Sequence, residues 1–437
     1  MKNELKIDKR KVLESILEKP AVRKKRLEKI AEIENILTGL KKKEKLNFDI
    51  FLGGSYAKGT DIKGSDADIF LLFPEEFNSF EILGILRKEF PEGREEYSDH
   101  PYIMLPQNSF SIDIVPGYKA SSGKDLKTAV DRTPFHVKFV TENFTNEMKD
   151  EVRILKQFLK GIRAYGAESS VQGFSGYVAE LLINRHKTFE NTILEAKNWS
   201  IPYILDKGAK DFNDANLVIV DPVDSGRNAA ANVSLENLAT FILAAGLFSW
   251  ENWKDFFFPK SGEFVLPKDA VVVYIPCAKC NEEVLIPNLR RISSVLRGEI
   301  EDKGFRVVYS SVFVEKGGYI VIVPDSTPIG ETAVHVGPPV TSPNASDFLQ
   351  KWGHGTRYGM PFMMGDRVCV LREREERDIA AAIAGAIPNI KLSRDFDKNK
   401  ILVISGKELS SVPPRIRKGF LFPSLGKWAV PQLRNVE

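Results

Sequence analysis

Apolar positions along the chain recur with two spacings, and these distinguish helices from strands. Residues 8–45 are rich in Lys, Glu, Leu and Ile at helical spacing, and Pro20 divides them into two predicted helices. Three apolar runs predict strands: FDIFLGG (48–54), ADIFLLF (67–73) and SFSIDIVPG (109–117). A helix, SFEILGILRKEF, is predicted to begin with Ser79 as its cap. Residues 1–145 therefore form a predicted small α/β unit with a mixed sheet.

The middle of the chain, residues 146–255, has mostly helical patterning. The segment DEVRILKQFLKGI (150–162) places its aliphatic residues on one face, and GFSGYVAELLINRH (173–186) contains a continuous apolar stripe that includes Tyr177. The stretch from 216 to 243 predicts a strand, a loop and then a helix capped by Ser234. We therefore expect a helical central domain.

The last part, residues 256–437, alternates strands and helices. The first half of this part predicts a β-α-β-β module with a hairpin turn at Gly317-Gly318, and two further helix–strand pairs follow. Small modules of this kind often bind RNA, although a fold alone does not prove a function. The predicted fold class is therefore α+β and multidomain, with domains at 1–145, 146–255 and 256–437.

Composition adds limits on where the protein works. The 437 residues are 43% hydrophobic and 28% charged, with a formal net charge of +3 and three cysteines. The low, odd cysteine count suits a reducing compartment. The N-terminus has no apolar core of signal-peptide length, and no apolar run approaches the roughly 18 residues of a membrane span. A cytoplasmic protein without a membrane partner is therefore expected.

Three carboxylates are placed on predicted strands where charge is costly. Asp66 and Asp68 lie two residues apart, so on a strand they point to the same face, and Asp113 alternates with Ile112 and Ile114. If the strands are neighbours, the three carboxylates converge and raise one another's pKa values. A divalent cation removes that repulsion, and oxygen ligands suit Mg²⁺. This pattern predicts a site for two-metal phosphoryl chemistry.

A Gly-Gly-Ser turn precedes the carboxylates by about ten residues. Gly53 and Gly54 let the backbone approach a ligand closely, and Ser55 opens a segment whose N–H groups can bind phosphate. Lys58 follows within one turn as a charge partner. A phosphate-binding turn followed by Asp-x-Asp is typical of a nucleoside triphosphate site.

This pattern resembles the polymerase-β-like nucleotidyltransferases. Three further stretches, DRTPFH (131–136), GFSGYVAELLI (173–183) and VDPVDSGRNAAANVSLENLA (220–239), narrow the resemblance to the archaeal, class I CCA-adding enzymes, the tRNA nucleotidyltransferases. The resemblance is dense over 47–245 and looser to the end. It implies template-independent addition of C, C and A to the tRNA 3′ end by one site that uses CTP and then ATP.

The resemblance also implies roles for individual residues. Asp66, Asp68 and Asp113 match the catalytic, metal-binding triad, which holds two Mg²⁺ ions, with Mn²⁺ as the alternative. The positions that match nucleotide-binding residues are Gly54, Ser55, Lys58, His136, Lys156, Tyr165, Ser175 and Arg227, the last of which helps to select the base. The C-terminal part is expected to grip the acceptor stem and T arm of tRNA, and a homodimer is compatible with the resemblance.

Some positions depart from the family pattern or have a purely structural alternative. Relatives often carry Glu where this chain has Asp66, and Arg where it has Lys58. A lysine still neutralises phosphate but cannot form the two parallel hydrogen bonds that an arginine guanidinium can donate. If the resemblance is set aside, the residue spacing places Lys156 on the polar, solvent-exposed face of its predicted helix. The remaining structural alternatives are packing or capping roles for Tyr165 and Ser175, and loop positions for His136 and Arg227.

Two features and two other functions stay open at this point. Cys277-x-x-Cys280 offers two zinc ligands but has no paired partners nearby, so a vestigial zinc knuckle or two ordinary thiols are favoured over a zinc site. The segment 411–437 interleaves basic and aromatic residues, which suits either RNA contacts or packing on a core. The alternative functions are another transferase of this class, such as a poly(A) polymerase or oligoadenylate synthase, and a non-catalytic RNA-binding protein.

Overall fold

The structure is a computed structural model. It describes residues 2–97, 100–123, 125–205, 212, 215–259, 265–277, 281–393, 396, 400–419 and 425–429. The chain divides into two compact units: Met1–Gly262 together with Pro423–Glu437, and Glu263–Phe422. The first unit contains the residues on both sides of 145, so this division does not test the predicted domain boundaries. The boundaries near residues 145 and 255 remain predictions.

The first unit begins with two helices and a five-stranded sheet. As predicted, a break at Pro20 separates α1 (Lys2–Ile16) from α2 (Pro20–Lys43). The strands are β1 (Asp49–Leu52), β2 (Ala67–Phe73), β3 (Arg94–Tyr97), β4 (Pro101–Pro106) and β5 (Ser111–Tyr118). Their order is β1-β2-β5-β4-β3, with β2 and β5 parallel and the other pairs antiparallel. The prediction of a mixed sheet is therefore confirmed.

Two short helices connect these strands. They are α3 (Gly54–Lys58), between β1 and β2, and α4 (Ile82–Glu89), which follows a 3₁₀ turn at Ser79–Glu81. The prediction that Ser79 caps this helix is wrong. The side chain of Asn78 accepts the bond from the N–H of Phe80, whereas Ser79 is buried. Both residue types are good caps, so composition did not distinguish the two neighbouring positions.

The rest of the first unit is helical around an aromatic core. The helices are α5 (Thr133–Asn143), α6 (Asn146–Gly161), α7 (Gly176–His186), α8 (Phe189–Ala196), α9 (Leu235–Leu247) and α10 (Trp253–Phe257). Phe158 of α6 is fully buried, and its ring contacts five other phenylalanines, which are Phe189, Phe241, Phe248, Phe256 and Phe257. Burying aromatic rings of this size dominates core energetics, so this cluster fixes the helices that carry the site.

Short strands complete this unit and correct two predictions. They are β6 (Tyr203–Ile204), β7 (Leu217–Val218), β8 (Val220–Asp221) and β9 (Asp224–Asn228), and β8 pairs with β9 as an antiparallel ribbon. Arg227 therefore lies on a strand, not in a loop. His136 lies in the first turn of α5 and not in a loop. Pro134 does not prevent this helix, because it occupies one of the first two helical positions, where proline is tolerated. The predicted caps Ser175 and Ser234 are confirmed.

The second unit contains the predicted β-α-β-β module. Its elements are β10 (Val271–Ile275), α11 (Glu282–Asp302), β11 (Val307–Val314), β12 (Gly318–Pro324), β13 (Thr332–Pro339), α12 (Asn344–Trp352), β14 (Phe362–Met364), β15 (Arg367–Glu373), α13 (Ile379–Ala386), β16 (Leu402–Ile404) and α14 (Pro414–Gly419). One sheet has the order β11-β12-β10-β16 and a smaller one has β13-β15-β14. The hairpin between β11 and β12 turns at Gly317, as predicted, where φ is +156°.

The cysteines and the C-terminal segment are described only in part. Cys369 is a buried free thiol and Cys277 is disulfide-bonded, so the expectation of ordinary thiols is wrong for Cys277, while Cys280 lies outside the described residues. Trp428 packs on Phe256 in the core of the first unit, with ring centroids 5.4 Å apart. Packing is therefore the role of this aromatic residue.

No helix among the described residues is long and apolar enough to cross a membrane.

Candidate active site

The three acidic residues lie side by side where two parallel strands begin. In the register of β2 and β5, Asp68 is paired with Asp113. Asp66 directly precedes β2, and its Oδ1 accepts a bond from the backbone N–H of Ser111 at 3.3 Å. The hydroxyl of Ser111 in turn donates to Oδ1 of Asp113 at 3.3 Å. The conditional prediction, that neighbouring strands would bring these carboxylates together, is met by the strand pairing.

The pKa values of two of these carboxyl groups are raised. Burial, together with the charges of Asp68 and Asp66, raises the pKa of Asp113 to about 7. Burial and the charge of Asp66 raise the pKa of Asp68 to about 6, against the opposing effect of Lys58. Each group is thus held in an environment where its negative charge lacks a sufficient counter-charge. A bound cation would supply that charge.

The donor set fits a divalent cation in its chemistry. Three carboxylates provide the oxygen ligands that Mg²⁺ prefers. Within the described ranges, however, no three His, Cys, Asp or Glu side chains form a group that could hold a metal ion. The carboxylate of Asp68 turns instead toward Gly54.

The Gly-Gly turn has no space for side chains. Gly54 has a φ of +59°, and a Cβ added there would lie 1.8 Å from Oδ2 of Asp68. A Cβ on Gly53 would lie 2.4 Å from the ring of Phe70. The N–H of Gly53 also donates to the backbone carbonyl of Asp68 at 2.8 Å, which fixes the turn against β2. Glycine is thus required at both positions, and Ser55 follows in the first turn of α3.

Lys58 and Lys156 are both buried, and both contact Glu180. Nζ of Lys58 lies 2.8 Å from Oε2 of Glu180, and Nζ of Lys156 lies 3.4 Å from Oε1. Lys156 also donates to the backbone carbonyl and hydroxyl of Thr60 at 3.1 and 3.0 Å. The alternative of a solvated Lys156 is therefore wrong, since this residue is only 2% exposed. Burial lowers its pKa to about 8, although Glu180 opposes the shift.

Glu180 was missed in the sequence, although it carried a signal. It is 1% exposed and also accepts a bond from the hydroxyl of Thr60 at 2.7 Å. It stands within the apolar stripe of α7, in the run Val-Ala-Glu-Leu-Leu. A carboxylate on an apolar helix face has to be paired when it is buried, so this position predicts buried cationic partners. Their identity could not be predicted, because Lys58 lies 122 residues away.

Tyr165 and Ser175 meet Lys156 at the start of α7. The hydroxyl of Ser175 accepts a bond from the N–H of Val178 at 3.1 Å, so it caps the helix. A Cβ added to Gly176 would lie 3.1 Å from the hydroxyl of Tyr165 and 3.4 Å from Nζ of Lys156. Three of the four residues that the resemblance assigns to the phosphate and sugar site, Lys156, Tyr165 and Ser175, therefore lie around the first turn of one helix.

A second buried carboxylate, Asp221, gathers the other predicted residues. Its Oδ2 lies 2.9 Å from both Nε2 of His136 and Nη1 of Arg227, and its Oδ1 accepts a bond from the hydroxyl of Tyr177 at 2.9 Å. The ring of Tyr177 stacks on His136, with centroids 3.8 Å apart, and Nζ of Lys58 lies 5.0 Å from its centroid. Tyr177 therefore joins the Lys58 cluster to the Arg227 cluster.

Together, these features define a class of protein. A mixed sheet presents paired aspartates beside a Gly-Gly-Ser turn, and a helical region adds buried lysines. Three family profiles match in chain order: "Nucleotidyltransferase domain" over residues 33–136, "tRNA nucleotidyltransferase, second domain" over 150–258, and "CCA-adding enzyme, C-terminal domain" over 269–395. The chain is thus a multidomain α+β nucleotidyltransferase, a class that typically uses divalent metal ions.

Curated relatives identify the family within that class. The chain is 35% identical over 364 residues to a CCA-adding enzyme of Thermoplasma acidophilum, which covers 81% of this chain and 84% of the relative. It is 31% identical over 405 residues to a CCA-adding enzyme of Thermoplasma volcanium, and this match covers 90% of this chain and 92% of the relative. The chain belongs to the CCA-adding enzyme family of tRNA nucleotidyltransferases, which confirms the resemblance seen in the motifs.

A solved structure of the Cid1 poly(U) polymerase bound to Mg and 3′-dATP is a more distant match. Its TM-score is 0.44 at 16% identity, and the match covers 55% of this chain and 92% of that one. A similarity this remote adds nothing to the assignment.

Proposed function

We propose that this site restores the 3′-terminal CCA of tRNA by transferring nucleotides from CTP and then ATP. The observation that carries the proposal is the pairing of Asp68 with Asp113 next to the Gly-Gly-Ser turn. In the reaction, the tRNA 3′-hydroxyl attacks the α-phosphorus of the triphosphate, the bond to the β-phosphate oxygen breaks, and pyrophosphate leaves. Such chemistry depends chiefly on positioning and on charge neutralisation.

The three aspartates would hold two Mg²⁺ ions, with Mn²⁺ as the alternative. When bound, the ions supply charge neutralisation at the phosphates and lower the pKa of the attacking hydroxyl. Asp113 is the carboxylate assigned to the proton of the 3′-hydroxyl, because it is paired with Asp68 on the neighbouring strand and would help to hold the ion that activates this hydroxyl. Asp66 and Asp68 complete the donor set.

The triphosphate is assigned to the groups around α3 and the start of α7. Lys58 and Lys156 carry two positive charges, and Glu180, which contacts both, carries one negative charge. The excess positive charge favours an anion. Ser55 and Gly54 on one side, and Tyr165 and Ser175 on the other, offer N–H and O–H donors for phosphate or ribose oxygens.

The base and the tRNA are assigned to other parts of the chain. Arg227, with His136 beside it, is proposed to recognise the base. The second unit is proposed to grip the acceptor stem and T arm through phosphate and shape contacts, because A-form RNA hides its major-groove edges. We also infer a cytoplasmic location and a homodimer, the latter from the resemblance to relatives alone.

The test separates chemistry from binding. Asp113→Ala should abolish nucleotide incorporation into tRNA lacking CCA, while tRNA affinity in a filter-binding assay stays within about threefold of the wild type. Asp49→Ala is the matched control, since Asp49 is an exposed carboxylate on β1 of the same sheet. Unchanged incorporation by Asp113→Ala would remove the catalytic assignment.

A further inference from the structure

The inference concerns Asp221, a carboxylate for which the sequence suggested no role. Its side chain is fully buried, and each oxygen has two partners. Oδ1 accepts bonds from the hydroxyl of Tyr177 and the N–H of Val223 at 3.1 Å, and Oδ2 contacts His136 and Arg227. A carboxylate has about four lone-pair sites, so these four contacts use its capacity. Asp221 can therefore neither bind a metal nor contact a substrate in this arrangement.

The partners of Asp221 show what it can do instead. Arg227 uses Nη1 for Asp221, and its side chain keeps 34% of its surface exposed. A guanidinium is planar and carries five N–H donors in a fixed geometry. A hydrogen bond that fixes one of its nitrogens therefore also sets the directions of the remaining N–H donors. The pKa of Asp221 is lowered to about 2, because hydrogen bonds from His136, Val223 and Tyr177 outweigh the effect of burial. The carboxylate thus stays charged and holds the arginine throughout the working pH range.

Tyr177 connects this arrangement to the triphosphate lysine. Its hydroxyl holds Oδ1 of Asp221, and the face of its ring lies beneath Nζ of Lys58. The ring of Tyr177 therefore lies between Lys58 and Asp221 and contacts both. The same ring stacks on His136, which is itself a partner of Asp221.

We propose that Asp221 and Tyr177 are positioning residues that set the orientation of Arg227 and thereby the choice between CTP and ATP. This inference rests on the proposed role of Arg227 in base recognition. Neither residue touches the reacting atoms. Their effect is on discrimination between nucleotides, because a misdirected guanidinium loses hydrogen bonds to one base pattern more than to the other.

The closing experiment measures discrimination instead of overall activity. On tRNA ending in CC, kcat/KM is measured separately for ATP and CTP, and their ratio is compared between variants. Tyr177→Phe removes one hydrogen bond but keeps the ring contacts, so the ratio should fall about 3- to 10-fold. Asp221→Asn should lower it at least as far, and Tyr203→Phe, a half-buried tyrosine of β6, should leave it unchanged.

Arg227→Lys distinguishes failure of this inference from failure of the proposed function. The ratio should fall in Arg227→Lys, and Tyr177→Phe should add little when the two changes are combined, since both act through one arginine. If Tyr177→Phe lowers kcat/KM equally for both nucleotides, or not at all, the inference is overturned. If Arg227→Lys leaves the ratio unchanged, the base-recognition role fails and the inference fails with it. Wild-type enzyme that adds no CCA would overturn the proposed function itself.

Discussion

The replacement of Glu180 by Gln tests the charge balance of the proposed triphosphate site. Glu180 is 1% exposed and lies 2.8 Å from Lys58 and 3.4 Å from Lys156. Removing one partner of a buried ion pair costs about 3–5 kcal/mol, because the other charge is left buried and unpaired. The amide oxygen of Gln can still accept a hydrogen bond from one lysine, so the loss should lie at the lower end of this range. We therefore expect a loss of about 3 kcal/mol in the free energy of unfolding.

The measurement is thermal unfolding with and without nucleotide. For a domain of this size, each kcal/mol shifts Tm by about 2–4 °C, so Tm without nucleotide should fall by about 6–12 °C. ATP should then raise the Tm of Glu180→Gln by more than it raises that of the wild type, since phosphate replaces the missing negative charge.

A surface carboxylate provides the control for Glu180. Glu142 forms an exposed pair with Lys138 at 3.9 Å, and such pairs contribute little. Glu142→Gln should therefore leave Tm nearly unchanged. If Glu180→Gln behaves like this control, or if nucleotide stabilises both Glu180→Gln and the wild type equally, the assignment of the lysine cluster to the triphosphate is wrong.

Three further predictions concern the turn, the buried lysine and the metal. Gly54→Ala should lower stability and abolish incorporation, because its Cβ would clash with Asp68. Gly64 also has a positive φ but has open space around it, so Gly64→Ala should cost only about 1 kcal/mol of unfolding free energy. Equal losses of stability in chemical denaturation of the two variants would refute the clash. The pKa of Lys156 falls from 10.5 to about 8 on folding, so the unfolded chain binds more protons between those values and the free energy of unfolding should rise with pH in that window. Urea titrations of Lys156→Met should lack this rise, and its persistence would count against the assigned burial. Divalent cation affinity should increase from about pH 5.5 to 8, since Asp68 and Asp113, with pKa values of about 6 and 7, must lose their protons first; calorimetry in two buffers should detect the released protons, and a pH-independent affinity would contradict this site.

Local features of this molecule were largely predictable from the sequence. Strand β2 has the predicted bounds, and Ser175 and Ser234 cap the predicted helices. These features depend on residue spacing and on bonds between residues within three positions of each other. The same local signals were ambiguous at Ser79, where the adjacent Asn78 is an equally good cap.

The contacts that organise the site were not predictable in the same way. Glu180 and Asp221 bind partners that lie up to 122 and 85 residues away, so no window of sequence contains both members of a pair. Each residue did carry a partial signal, since it places a carboxylate in or directly after an apolar run. Tyr177 gave no such signal, because a tyrosine on an apolar helix face is usually a packing residue.

The most direct test of the central claim is the sequence of the added nucleotides. A tRNA transcript that lacks its last three nucleotides is incubated with the enzyme, a divalent cation, CTP and ATP, and the extended 3′ ends are sequenced. The account predicts addition of C, C and A in that order followed by arrest, and no terminal A when CTP is omitted. An open-ended run of A, or no extension at all, would contradict it.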